Sequence, residues 1–360
     1  MKVGINARTF HVSEPEGAVQ ASLRQTRELK SIPSVEILLF GNQQLSQQLP
    51  EFEVDSSYYP RVIPSQFFGV IWERLFLPRS ERIHELDVLY CPNANGPLRP
   101  ISCPTVVAIH DVNAQLGISS GIHQLYRKST VPKSILAADL VVTVSNFSKR
   151  EIVRTLPVQE SKIRVIYNGV NEFYLSDKPG DPLPLPDEYV LFVGSMNPRK
   201  NIPRLIEGFR DVKDRHNLPH NLVLAGPPNR VIFKNMDVSE SECLQHVGFL
   251  SPAELKYAYQ HATVFAYPSL YEGFGLPPLE AMACGTAVLA SDQGPFDETL
   301  GSAAELVDPK DTKAIATGLE QLLLDDEYRA ECERQGEERA QKFTWNEVGS
   351  NLYSALQEVA

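Results

Sequence analysis

What the sequence lacks narrows its class first. No apolar run comes near the roughly 18 residues that a membrane-spanning helix needs, and Met1-Lys2-Val3-Gly4-Ile5-Asn6 leads straight into a strand-like segment. A cytoplasmic location is expected. Cysteine is sparse: Cys91, Cys103, Cys243, Cys284 and Cys332 form no Cys-x-x-Cys pair. Thiols scattered so widely fit a reduced compartment, and neither a disulfide framework nor a zinc site is expected. Positive charge is in deficit, with 34 basic against 45 acidic residues and a formal net charge of -11. That balance argues against nonspecific attraction to nucleic acid or anionic lipid, while leaving room for a local basic pocket. Internal repeats, low-complexity tracts and heptad series are also missing.

What is present is a rhythm. Short apolar runs rich in valine and isoleucine alternate with amphipathic stretches, as parallel strands buried on both faces and joined by helices require. Strands are expected at Lys2–Asn6, Val35–Phe40, Val88–Tyr90, Thr105–Ile109, Leu140–Val144 and Ile163–Tyr167. The series restarts at Tyr189–Val193, Asn221–Ala225, Gln245–Val247, Thr263–Tyr267, Ala287–Ala290 and Glu305–Val307. Between the two lies Ser176–Pro186, whose four prolines forbid a helix interior or a central strand. It reads as a linker between two α/β domains, the usual number for 360 residues. Residues 311–360 read as helical, with Thr344 a plausible cap before Trp345-Asn346-Glu347.

The strongest local signal follows the strand Thr263–Tyr267, where Tyr271-Glu272-Gly273-Phe274-Gly275-Leu276-Pro277-Pro278-Leu279-Glu280 leads into a helix. Ligands of such sheets bind at the carboxyl ends of strands. Gly273 and Gly275 allow the backbone around Phe274 and Leu276 to approach a ligand, and the two prolines suit a helix start whose positive end favours a phosphate. Glu272 and Glu280 bracket the loop and can accept hydrogen bonds from sugar hydroxyls, although a carboxylate here also serves as a solvated loop residue or a complement to the helix dipole. A second candidate is Gly194-Ser195-Met196-Asn197-Pro198-Arg199-Lys200-Asn201, which places two adjacent cations after the strand Tyr189–Val193. Arg199 and Lys200 can neutralise a diphosphate, though such a pair is more often a solvated surface pair. A third is His110-Asp111, directly after Thr105–Ile109, where the aspartate would also make an ordinary turn or helix cap. Phe67–Arg79 combines large apolar groups with two arginines; it is a candidate peripheral membrane contact, or a helix packed on its own sheet.

Together these segments resemble the retaining glycosyltransferases of family four. Glu272 to Gly285 is similar to that family's Glu-x7-Glu element, Val193 to Asn201 to its strand-Gly-to-Pro-Arg-Lys-Asn element, and His110-Asp111 to its strand-His-Asp element. Gly17-Ala18 resembles the glycine loop after the first strand, with alanine where a second glycine is usual; Val144 to Ser148 resembles a Ser-x-x-Ser segment, where a helix N-cap explains Ser145 equally well. Asn168-Gly169-Val170 resembles the crossover between domains. The resemblance implies that Glu272 contacts donor-sugar hydroxyls, Gly273 to Leu276 contact sugar and diphosphate, Glu280 binds ribose, and His110 meets the sugar near the reacting carbon. Gly17, Ala18, Ser195 and Leu250 are further donor contacts on this basis, with Asp111 and Ser145 beside them. Ser195 stands where many members carry arginine.

The fold so implied is α/β of the GT-B type, two Rossmann-like domains facing across a cleft. An acceptor domain spans residues 1–172, a nucleotide-sugar domain 187–340, and a last helix, 341–360, returns to the first. The implied reaction moves a hexose or deoxyhexose, with mannose as the first choice, from a GDP- or UDP-sugar to a saccharide or lipid-linked acceptor, with retention and no cofactor or metal. The sequence has no Asp-x-Asp element to suggest a metal. No nucleic-acid partner is expected. The alternatives are a GT-B nucleotide-sugar epimerase and a nonenzymatic nucleotide-sugar-binding subunit.

Overall fold

The computed structural model describes residues 1–10, 17–57, 66–94, 96–118, 122–227 and 243–360, except for the side chains of residues 66–70, 81 and 122–124. The chain forms two compact units, Met1–Asn168 with Trp345–Ala360, and Gly169–Thr344. Each is built on one parallel sheet. The first contains β1 (Lys2–Asn6), β2 (Glu36–Phe40), β3 (Glu53–Asp55), β4 (Val88–Cys91), β5 (Thr105–Ile109), β6 (Leu140–Thr143) and β7 (Ile163–Val165), in the order β3-β2-β1-β4-β5-β6-β7. The second contains β8 (Tyr189–Val193), β9 (Asn221–Ala225), β10 (Leu244–Gly248), β11 (Val264–Tyr267), β12 (Val288–Ser291) and β13 (Glu305–Val307), in the order β10-β9-β8-β11-β12-β13.

Both orders reverse direction once, between β1 and β4 and between β8 and β11. This is the doubly wound topology, in which connections leave on opposite faces and open a crevice at the reversal. The strands can occupy this position because they are apolar on both faces: every residue of β5 and of β11 is buried. Register is set across the reversal by pairs such as Val264 with Val190 and Phe265 with Leu191. All twelve expected strands are present within a residue or two, and β3 is the addition. Glu-Val-Asp is a three-residue edge strand with one apolar side chain, too short to generate a periodic signal.

The last helix, Trp345–Gln357, belongs to the first unit. Trp345, Val348, Gly349, Leu352, Ala355 and Leu356 repeat at three- and four-residue intervals and form its buried face. Much of that face joins the core around β1 and β4. Gly349 permits close contact with the helix Gly17–Ser31, since a Cβ there would lie 2.7 Å from the Glu28 Cβ. Ser176–Pro186 has neither helix nor strand and lies inside the second unit. It is strapped to the helix Pro252–Gln260, with the Gly180 amide donating to Gln260 Oε1 and the Asp181 amide to the Ala253 carbonyl.

Candidate active site

The second sheet brings Arg199, Lys200 and Glu272 together at its reversal. The loop after β8 folds into a 3-10 turn over Pro198–Lys200, and Asn201 ends that turn in the left-handed region, with φ 60°. Asparagine tolerates this backbone better than most residues. Its buried side chain donates to the carbonyls of Pro268 and Pro309, while the Leu270 amide donates to the Arg199 carbonyl. The cation-bearing loop is therefore clamped to the loop after β11.

Across that clamp, Arg199 Nη1 and Lys200 Nζ each donate to Glu272 Oε1 at 2.7 Å, and the Tyr267 hydroxyl donates to the same oxygen at 3.3 Å. Oε2 carries none of these contacts. Arg199 also donates to the Tyr271 carbonyl at 3.0 Å. Lys200 is only 5% exposed and Glu272 8%, so this is a buried cluster of two cations and one carboxylate. Burial would raise the Glu272 carboxyl, but Lys200 and Arg199 outweigh it and hold it below its ordinary value. Burial pulls the Lys200 ammonium down to about 8, opposed by Glu272 and assisted by Arg199. The surplus positive charge suits an anion better than a neutral ligand.

Beside the cluster, Gly275 begins the helix Leu276–Ala283 in the left-handed region, with φ 88° and no side-chain cap. This helix starts at Leu276, with Pro277 and Pro278 inside its first turn. Two of the turn's unpaired N–H groups are thereby removed, and the amides of Gly275 and Leu276 remain as donors at the helix's positive end. Gly275 is required for packing as well as for access, because a Cβ there would overlap Phe296 Cε1. Gly275→Ala is expected to lower folding stability by about 2 kcal/mol or more. Gly301→Ala, at φ 59° with no atom within 4 Å of the new Cβ, should cost less in the same denaturation experiment. Equal losses would show that Phe296 gives way freely.

Glu280, on the same helix, accepts from the Tyr259 hydroxyl through Oε2 at 3.2 Å, and burial pushes its carboxyl up to about 7. Phe274 turns inward against Phe343, with ring centroids 5.8 Å apart, so its side chain is a packing element. Ser195 is exposed and accepts from Asn197 Nδ2 at 3.0 Å. Leu250 is partly exposed just before the Ser251 capping box that opens the helix Pro252–Gln260.

The remaining candidates lie in the first unit. His110 Nε2 is 2.9 Å from the Pro92 carbonyl, which only accepts, so the imidazole carries its proton on Nε2. Burial lowers its basicity, and the neutral ring offers Nδ1 as an acceptor. Asp111 Oδ1 accepts from the Asn113 amide at 2.9 Å, the turn-forming contact. Ser145, fully buried, is the N-cap of the helix Asn146–Thr155 and accepts from the Ser148 amide at 2.9 Å. Both side chains thus have structural contacts. Gly17 and Ala18 are exposed at the start of their helix. Within Phe67–Arg79, Trp72 is 2% exposed and donates to the Ser57 carbonyl, and buried Glu73 pairs with Arg8. Leu75 and Phe76 of the same stretch are exposed, and the side chains of residues 66–70 are outside those described.

Two doubly wound parallel sheets in one chain are the GT-B architecture, and the chain belongs to glycosyltransferase family four. Residues 35–172 match the model of Glycosyltransferase Family 4, and residues 176–339 that of Glycosyl transferases group 1. The chain is similar to O-antigen chain mannosyltransferase B of Escherichia coli, 31% identical over 64% of this chain and 63% of that protein. It is also similar to O-antigen chain mannosyltransferase RfbU of Salmonella typhimurium, 32% identical over 62% of each. The matched part therefore spans under two thirds of the length of either relative. In fold, the chain superposes on HepE of Anabaena, solved with UDP and glucose, with a TM-score of 0.73 at 17% identity over 99% of this chain and 100% of that one.

Proposed function

We propose that this chain is a retaining glycosyltransferase that moves a hexose or deoxyhexose, mannose in the first instance, from a nucleoside diphosphate sugar to an acceptor hydroxyl in glycan synthesis. The observation that carries the reading is the joining of Arg199, Lys200 and Glu272 at the reversal of the second sheet. Cleaving the sugar–phosphate bond leaves the bonding electrons on the departing diphosphate, and two fixed cations beside a helix N-terminus lower the energy of that charge. The acceptor oxygen forms the new glycosidic bond, and its proton leaves with a diphosphate oxygen. No protein nucleophile is assigned. His110 would meet the sugar as a neutral hydrogen-bonding group, and Glu280 the ribose.

The two mannosyltransferase relatives favour mannose, and Arg199 with Lys200 would do without a metal what a cation does in other transferases. We place the reaction in the cytoplasm. The test is a screen of GDP- and UDP-sugars with free saccharide and lipid-linked acceptors, read by mass spectrometry with and without a chelator. Transfer from one donor, undiminished by the chelator, is the expected result. Epimerised donor, or tight donor binding without turnover, would replace transfer with another activity, and loss of turnover in the chelator would show that the two cations are insufficient.

A further inference from the structure

Each glutamate of the Glu272-to-Glu280 element is backed by a tyrosine hydroxyl hidden from solvent. Tyr267, 1% exposed, donates to Glu272 Oε1; Tyr259, fully buried, donates to Glu280 Oε2. The rings share one aromatic row. Tyr259 meets Phe265 edge-on with centroids 5.5 Å apart, and Phe265 stacks on Tyr267 at 5.8 Å. Phe192 stacks on Tyr267 from one side at 5.7 Å, and Phe296 meets it edge-on.

Among so many phenylalanines, packing alone does not call for a hydroxyl. A buried hydroxyl costs free energy unless it is paired, and each of these two is paired to a carboxylate. We infer that Tyr259 and Tyr267 are positioning residues, each occupying one carboxylate oxygen so that the glutamate turns the other towards the bound donor. The inference rests on the donor-binding role given above to Glu272 and Glu280. Tyr267 also holds Lys200, because its oxygen accepts from Lys200 Nζ. Lys200 thus commits one N–H to Tyr267 and one to Glu272, which leaves its third N–H for a phosphate. Lys200 meets Arg199 on its own loop, Tyr267 on β11 and Glu272 on the loop that follows. Both phenols are held protonated, since burial raises them well above their ordinary value.

Tyr259→Phe and Tyr267→Phe keep the rings and remove only the hydroxyls, so the probe is calorimetric titration with GDP and UDP from neutral to alkaline pH. Tyr259→Phe should weaken nucleotide affinity about tenfold, the scale of one hydrogen bond to a charged group. In a Glu280→Gln background it should add nothing, because its effect passes through Glu280. Tyr267→Phe should leave affinity at neutral pH little changed and move its alkaline decline to lower pH, because the Lys200 ammonium loses an acceptor. Additive losses for Tyr259→Phe and Glu280→Gln, or a wild-type pH profile in Tyr267→Phe with only a lower melting temperature, would overturn the inference while donor binding stands. Failure of the unaltered protein to bind either nucleotide would overturn the donor reading and this inference with it.

Discussion

Replacing Glu272 by glutamine is expected to lower turnover about a hundred- to a thousand-fold, the scale of losing one preorganised polar group from a reacting centre, while the fold survives. Oε1 accepts from Arg199, Lys200 and Tyr267, so the amide oxygen of glutamine would take that side. The amide nitrogen would then occupy the place of Oε2. In the proposed donor-binding role, an acceptor for the sugar becomes a donor, and the cations lose their counter-charge. Alanine is a poorer probe. Both substitutions remove the counter-charge of Lys200, 5% exposed, but alanine also removes the oxygen to which Lys200, Arg199 and Tyr267 donate, and emptying one side of a buried pair in that way costs about 3–5 kcal/mol. Lost activity in Glu272→Ala would then mix chemistry with instability. The informative measurement is kcat with the preferred nucleotide sugar beside the thermal midpoint of Glu272→Gln. Near wild-type kcat in a folded variant would remove Glu272 from the reacting centre.

The strands were legible because each is a local apolar run bounded by polar or turn-forming residues, and the restart of the series at Tyr189 announced a second sheet. β3 was not, because three residues with two carboxylates carry no period. Arg199, Lys200 and Glu272 were each visible through spacing and resemblance. Their convergence on one oxygen was not, since the partners lie 72 and 73 positions apart and only the sheet order brings β8 beside β11. Asp111 and Ser145 could be read two ways from sequence, and short local hydrogen bonds reveal the turn and the cap. Tyr259 and Tyr267 were missed altogether, because a tyrosine on a buried face looks like core. For Tyr267 the usable signal was a hydroxyl among phenylalanines, at a strand end next to the acidic loop. Asn201 left a similar trace, an asparagine at a helix start whose side chain turns out to tie three loops together.

Lys200→Met should reduce turnover about a thousand-fold at neutral pH, because the cation proposed to meet the departing diphosphate is lost. Methionine suits the site sterically, since its unbranched chain can follow the path of the lysine stem. Arg199 still compensates Glu272, so the variant should fold, and relief from burying an ammonium works in its favour. The pH dependence gives a second, independent reading. Burial lowers Lys200 from its ordinary 10.5 to about 8, so between those values the unfolded chain binds more protons at this site than the native one. The stability due to this group therefore rises with pH across that window. Turnover should do the opposite, falling as pH climbs through about 8 and the ammonium proposed to hold the diphosphate is lost. Alkaline inactivation without a matching fall in thermal midpoint is the expected signature, and Lys200→Met should lack that limb. A variant that keeps the wild-type rate, or keeps the alkaline limb unchanged, would transfer the leaving-group role to Arg199 alone.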